Sequence, residues 1–175
     1  LLRNRKPFQI VAGHWQRSNA LDRVVGLCRA ARVAKALRSA RVGLIGTPFK
    51  GMGDFDVAPA VLKQTIGPVV VKALPDELRR LAAAVKETEV RLEMAADFKR
   101  FDARGLSAEA HRRTARVSLT VRRWLEKHKL TAFSVNFLAI NKAMGLPVMP
   151  FLEASKGMAA SVRANTTTPI CPSRM

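Results

Sequence analysis

Arg41-Val42-Gly43-Leu44-Ile45-Gly46 leads directly into Thr47-Pro48-Phe49-Lys50-Gly51-Met52-Gly53-Asp54-Phe55. The first six residues are a short apolar run with a helical pattern before it and a glycine-rich loop after it. Such a run predicts a buried strand that delivers a loop at its carboxyl end. Working outward, Val69-Val70-Val71 and Thr131 to Leu138 (TAFSVNFL) read as further strands, and Phe8-Gln9-Ile10-Val11-Ala12 reads as an earlier buried one. The segments between them carry helical periodicity. One helix follows Ser18 or Asn19 and runs to about Ala40, with Leu21, Val24, Val25, Cys28, Ala31 and Leu37 on an apolar face and arginines opposite. A short helix spans about Val57 to Ile66. A long stripe from Pro75 carries Leu78, Leu81, Val85, Leu92 and Ala96. Another helix is capped by Ser107 and turns Thr114, Val117, Val121, Trp124 and Leu125 inward, and a last short one covers Phe151 to Met158.

Strands alternating with helices predict an α/β fold: a parallel, doubly wound sheet of the Rossmann or flavodoxin-like kind, with helices on both faces. Residues 1–40 are expected to finish a preceding domain and supply a linking helix, and 41–158 to form the α/β domain. Residues 159–175 are expected to be an unstructured or aberrant tail, because SVRANTTTPICPSRM has no period and carries two prolines.

Charge is the compositional outlier. Lysine and arginine number 31 against 13 acidic residues, a net of +18. That excess suits either a solvated basic surface or a module that binds nucleic acid or another polyanion. The charges are spread over several segments, and no base-stacking aromatics accompany them, which favours the first. No apolar run reaches the roughly 20 residues of a membrane span. Cys28 and Cys171, far apart and in different settings, are expected to be free thiols in a reducing, cytoplasmic compartment.

In a parallel sheet, reactive groups belong at the carboxyl ends of strands. Those ends carry Gly13-His14-Trp15, the Gly46–Phe55 loop and Asn136-Phe137. The loop lacks the Gly-Lys-Ser/Thr ending of a phosphate-binding loop, and Asp54 would repel phosphate. His14, His111 and His128 have no metal-ligand spacing. His111 and His128 are expected to face solvent on basic helices, and His14 is either structural or a site residue. Glu87, Glu89, Glu93 and Asp97 read as charges on a solvated helix face.

Taken in order, the strand-end motifs resemble the L-arabinose isomerase family, within the arabinose/fucose isomerase group. Ile10-Val11-Ala12-Gly13-His14-Trp15-Gln16 is similar to the family's Gly-His-Trp segment. Arg41 to Gly46 with Phe49-Lys50 resembles the strand and loop that carry Gly-Asp-x-Met-Arg. Ala132-Phe133-Ser134-Val135-Asn136-Phe137 is similar to a strand ending in a sugar-lining Phe, and Gly145-Leu146-Pro147 and Gly157-Met158 resemble the approach to Gly-Glu-Gly-Asp. The resemblance covers about Gln9 to Ala159. It implies a homo-oligomeric aldose–ketose isomerase acting on a pentose or 6-deoxyhexose, with manganese gripping the sugar oxygens and two glutamates moving protons. By resemblance, His14, Phe49, Lys50 and Phe137 line the sugar site. Where the family's first catalytic glutamate belongs, this chain has Ser161-Val162-Arg163-Ala164. The resemblance therefore implies no catalytic or metal residue in this chain. It implies a fragment, inactive by itself, either from a truncated or frame-shifted gene product or as a natural stand-alone domain.

Overall fold

The computed structural model describes residues 8–49, 51, 56–102 and 105–157. Lys50, most of the glycine-rich loop and the 159–175 segment lie outside them. The chain divides into two compact units, residues 1–40 with 59–69, and residues 41–58 with 70–175.

In the first unit, α1 spans Ala20–Ser39 and α2 spans Pro59–Thr65. Gly67 turns the chain after α2 at a φ of 115°, and a Cβ there would come within 2.5 Å of the Arg38 Cα. Two expectations fail here. Residues 8–12 form no strand, and Ile10 is 76% exposed. The apolar set of α1 is not a core face either: Leu21, Val24, Val25 and Leu37 are exposed, as is the free thiol of Cys28. At 100° per residue, Arg32 falls between Leu21 and Val25, and Lys35 falls between Val24 and Cys28. The stripe is broken by charge, so only Ala20 is buried.

The second unit is mixed α/β. Strands β1 (Arg41–Ile45), β2 (Val69–Lys72, entering from the first unit at Val69) and β3 (Ala132–Val135) make an open parallel sheet in the order β2-β1-β3. Val42 pairs with Ala132 and Ile45 with Val135. Gly43 is required in β1 because the Trp124 ring lies where a Cβ would be, 2.4 Å from its Cη2. Trp124 is fully buried beside Ile45, Leu78, Val117, Val121 and Leu146, which form the main core.

The stripe expected from Pro75 onward is two helices, α3 (Pro75–Ala83) and α4 (Glu87–Phe98). The break falls at Val85 and Lys86. Val85 turns into a small cluster with Val90 and Ala115, and the Lys86 N–H is taken by the Glu89 carboxylate at 2.8 Å, starting a new helix. Helix α5 (Ala108–His128) is capped as expected: the Ser107 hydroxyl accepts the Ala110 N–H at 3.2 Å. It ends on Lys129 in the left-handed conformation, with the Leu130 N–H closing onto the Leu125 carbonyl. Residues 151–157 form α6. No helix among the described residues is long and apolar enough to cross a membrane.

Candidate functional site at the carboxyl ends of the strands

Strands β1 and β3 run parallel and end side by side, so whatever follows Ile45 and Val135 is brought together. Gly46 makes the first turn at a φ of 89°, which favours glycine, and a Cβ there would lie 2.6 Å from the Ala139 Cβ. The chain after β3 folds into a 3-10 turn, Phe137–Ala139, started by Asn136, whose Oδ1 accepts the Leu138 N–H at 2.9 Å. The other half of the same amide donates to the Thr47 carbonyl at 2.6 Å. One side chain therefore ties the β1 loop to the β3 turn. Beyond that tie, the rings of Phe49 and Phe137 meet with centroids 5.2 Å apart and planes at 50°. This spacing is favourable for an aromatic pair. Phe137 remains 60% exposed, so the pair presents an open apolar wall.

Of the residues singled out in the sequence, Phe49 and Phe137 are thus brought together. Lys50 lies outside the described residues. His14 belongs to the other unit, where it organises a turn. Its carbonyl accepts the N–H groups of Arg17 and Ser18 and the Ser18 hydroxyl, and its Nδ1 accepts the Gln16 N–H at 3.2 Å. No family model and no curated protein matches this sequence. Among the described residues, no group of three His, Cys, Asp or Glu side chains could hold a metal ion. No manganese donor set is present among the described residues.

Of the polar residues expected in solvent, Glu93, Asp97 and His111 lie instead between α4, α5 and α6, while Glu87 and Glu89 keep 37% of their side chains exposed. His111 and Asp97 are each about 4% exposed at the side chain, and His111 Nε2 lies 3.1 Å from Asp97 Oδ2. Phe98 closes edge-on against the imidazole. Arg122 grips Glu93 through two N–H groups, at 2.8 and 3.1 Å, and Glu153 of α6 through two more, at 2.7 and 2.9 Å. Lys156, only 8% exposed, is ion-paired to both Glu93 and Asp97. Further along the seam, Arg123 meets Glu89 at 2.6 Å and Arg116 meets Glu87 at 3.0 Å.

The double hydrogen bond from Arg122 holds the Glu93 carboxyl down at about 2; burial opposes this, and Lys156 adds to it. Glu153 and then Glu93 raise the Arg122 guanidinium in turn. His128 also turns inward: Glu77 accepts from Lys127 and faces His128 Nε2 at 2.9 Å, and chiefly the Lys127 bond lowers its carboxyl. The signal for this seam was present in the spacing. Glu89, Glu93 and Asp97 recur every four residues, a stripe on one helix face that α5 answers with Arg123, Arg122 and His111.

Proposed function

We propose that this chain is part of an aldose–ketose isomerase of the arabinose isomerase type, contributing one wall of the sugar site and lacking the groups that move protons. The observation that carries this reading is the Phe49–Phe137 pair at the adjoining ends of β1 and β3. Sugars present C–H groups on one face of their carbon chain, and an exposed aromatic wall offers that face a partner. Asn136 fixes the wall's shape by holding the Thr47 carbonyl, so its amide acts as a strut. The doubly wound arrangement belongs to the same proposal. The chain steps from β1 to β2 on one side and arrives at β3 on the other, and ligands of open α/β sheets settle where strand order reverses in this way.

In the intact enzyme of this reading, manganese would polarise the sugar carbonyl, using ligands that the residues described here do not include. The test is saturation-transfer NMR with L-arabinose and L-fucose, on the chain and on Phe137→Ala. Weak transfer to the sugar, lost in the variant, and no turnover with or without manganese are expected. Transfer that is unchanged in Phe137→Ala, or real turnover by the purified chain, would sink the reading.

A second reading is favoured by a different observation. Arg23, Arg29, Arg32, Lys35 and Arg38 of α1 have no ion-pair partner among the described residues, and Asp22 is the helix's one acid. A cationic helix of this kind suits a polyanion, nucleic acid included. Duplex binding with a steep salt dependence would favour this second reading over the first.

A further inference from the structure

Away from the strand ends, the second unit holds a pocket of about 140 Å³ between α5, α3 and the turn before α6. Its lining on α5 falls at positions 109, 112, 113, 116, 117 and 120, which share one helix face. The floor is apolar, made by Val117, Ala82 and Pro147. The rim is cationic, and its three arginines are not equivalent. Arg116 is committed: one N–H group donates to the Val85 carbonyl at 2.8 Å and another to Glu87 at 3.0 Å. Arg112 approaches Glu87 by its Nε at 3.2 Å and Arg113 approaches Glu109 by its Nε at 3.8 Å, and the Arg112 contact leaves Glu87 Oε1 without a hydrogen bond. The terminal Nη groups of Arg112 and Arg113 have no partner among the described residues.

We propose that this pocket binds a compact carboxylate with an apolar body. The carboxylate takes the Nη groups of Arg112 and Arg113, and the body lies on Val117, Ala82 and Pro147. Size sets the class of ligand. A cavity of roughly 150 Å³ lined by apolar side chains holds benzene, so a body of about four to seven carbons fits. Charge sets the head group. Planar guanidinium forks match a carboxylate with two parallel hydrogen bonds. Glu109, also on the rim, penalises a dianion more than a monoanion. A bare inorganic anion would leave the floor uncovered and gain nothing from it. The site is independent of the strand-end wall, and its failure would leave the isomerase reading untouched.

The test is heteronuclear NMR of the full chain at fixed ionic strength, titrated separately with benzoate, isovalerate, benzyl alcohol and inorganic phosphate. Benzoate and isovalerate should saturate with a Kd on the order of 1 mM, shifting Val117, Thr120 and the Arg112 and Arg113 side-chain N–H signals. The double variant Arg112→Gln, Arg113→Gln should weaken both ligands by about tenfold or more. Both side chains are about half exposed, so this variant keeps the fold. Ala82→Leu, which fills the floor, should abolish binding while leaving the guanidinium groups in place. Equal binding of benzyl alcohol would reduce the site to an apolar hole, and equal binding of phosphate would reduce it to a cationic patch. Either result overturns the proposal, as does wild-type affinity in the double variant or no saturation by about 20 mM carboxylate.

Discussion

Replacing Glu93 with Gln tests the charged seam most directly. The carboxylate takes two N–H groups of Arg122 and the Lys156 ammonium, with 14% of its side chain exposed. The Arg122 hydrogen bonds hold its carboxyl at about 2 against an ordinary 4.5. Linkage converts that into about 3 kcal/mol at neutral pH as an upper figure. The variant keeps part of it, because Arg122 retains Glu153 and Lys156 retains Asp97, so a loss of about 2 kcal/mol is expected. A lowered carboxyl stabilises fully above its unfolded value, and the contribution drains as pH falls through the folded value. The gap between wild type and Glu93→Gln should therefore be constant from pH 7 down to about 5.5, then shrink to less than half by about pH 3. Urea denaturation at stepped pH measures it. A gap that keeps its size at pH 3, or one below about 0.5 kcal/mol at pH 7, would show that Glu93 is held by packing and not by charge.

Three further outcomes follow from separate features. Gly43→Ala should lower stability by about 2–3 kcal/mol in thermal melts, because its methyl group enters the space of the buried Trp124 ring. Tryptophan fluorescence should shift with it. Ser107→Ala should cost about 1 kcal/mol and raise amide exchange at Ala110 most, since that N–H loses its acceptor. Changing Arg29, Arg32 and Arg38 together to Gln should leave the melting temperature of the second unit unaltered. If α1 contacts phosphates, the same change should reduce the salt slope of duplex binding by about 3.

Sequence and structure agree where a local rule coincides with a tertiary partner. Arg41 to Ile45 is a strand because its alternate residues Gly43 and Ile45 turn to a core centred on Trp124, and α5 begins where Ser107 supplies a cap. Phe49 and Phe137 were each legible as strand-end residues, and their contact follows from the register of β1 with β3. Disagreement comes where period or composition stood in for a partner. Residues 8–12 have the composition of a strand, but backbone ladders need a neighbour, and none of the described strands pairs with them. Charged side chains on α4 looked solvated because acids usually are. Here the opposing helix answers them with arginines, and Asp97 and His111 were hidden by lying 14 residues apart on different helices. The split of the long stripe at Lys86 has no sequence signal, because lysine is an unusual residue at a helix start.

The four-residue spacing of Glu89, Glu93 and Asp97 has a consequence for how α4 is held in place. A ladder that repeats every four residues looks nearly the same after a slide of four residues, about 6 Å along the axis. Glu89 could then take the place of Glu93 at Arg122, and Glu93 that of Asp97 at Lys156, so two of the three rungs would still be filled. Charge alone would therefore leave α4 two rungs to rest on. Two contacts mark the correct rung. Val90 sits between Val85 and Ala115, and a slide would drive Lys86 into that apolar cluster. Asp97 meets His111 under the edge of Phe98, and Glu93 in its place would bring one more methylene into that buried contact. Arginines and glutamates fasten α4, while a valine and a histidine–aspartate pair determine which rung it occupies.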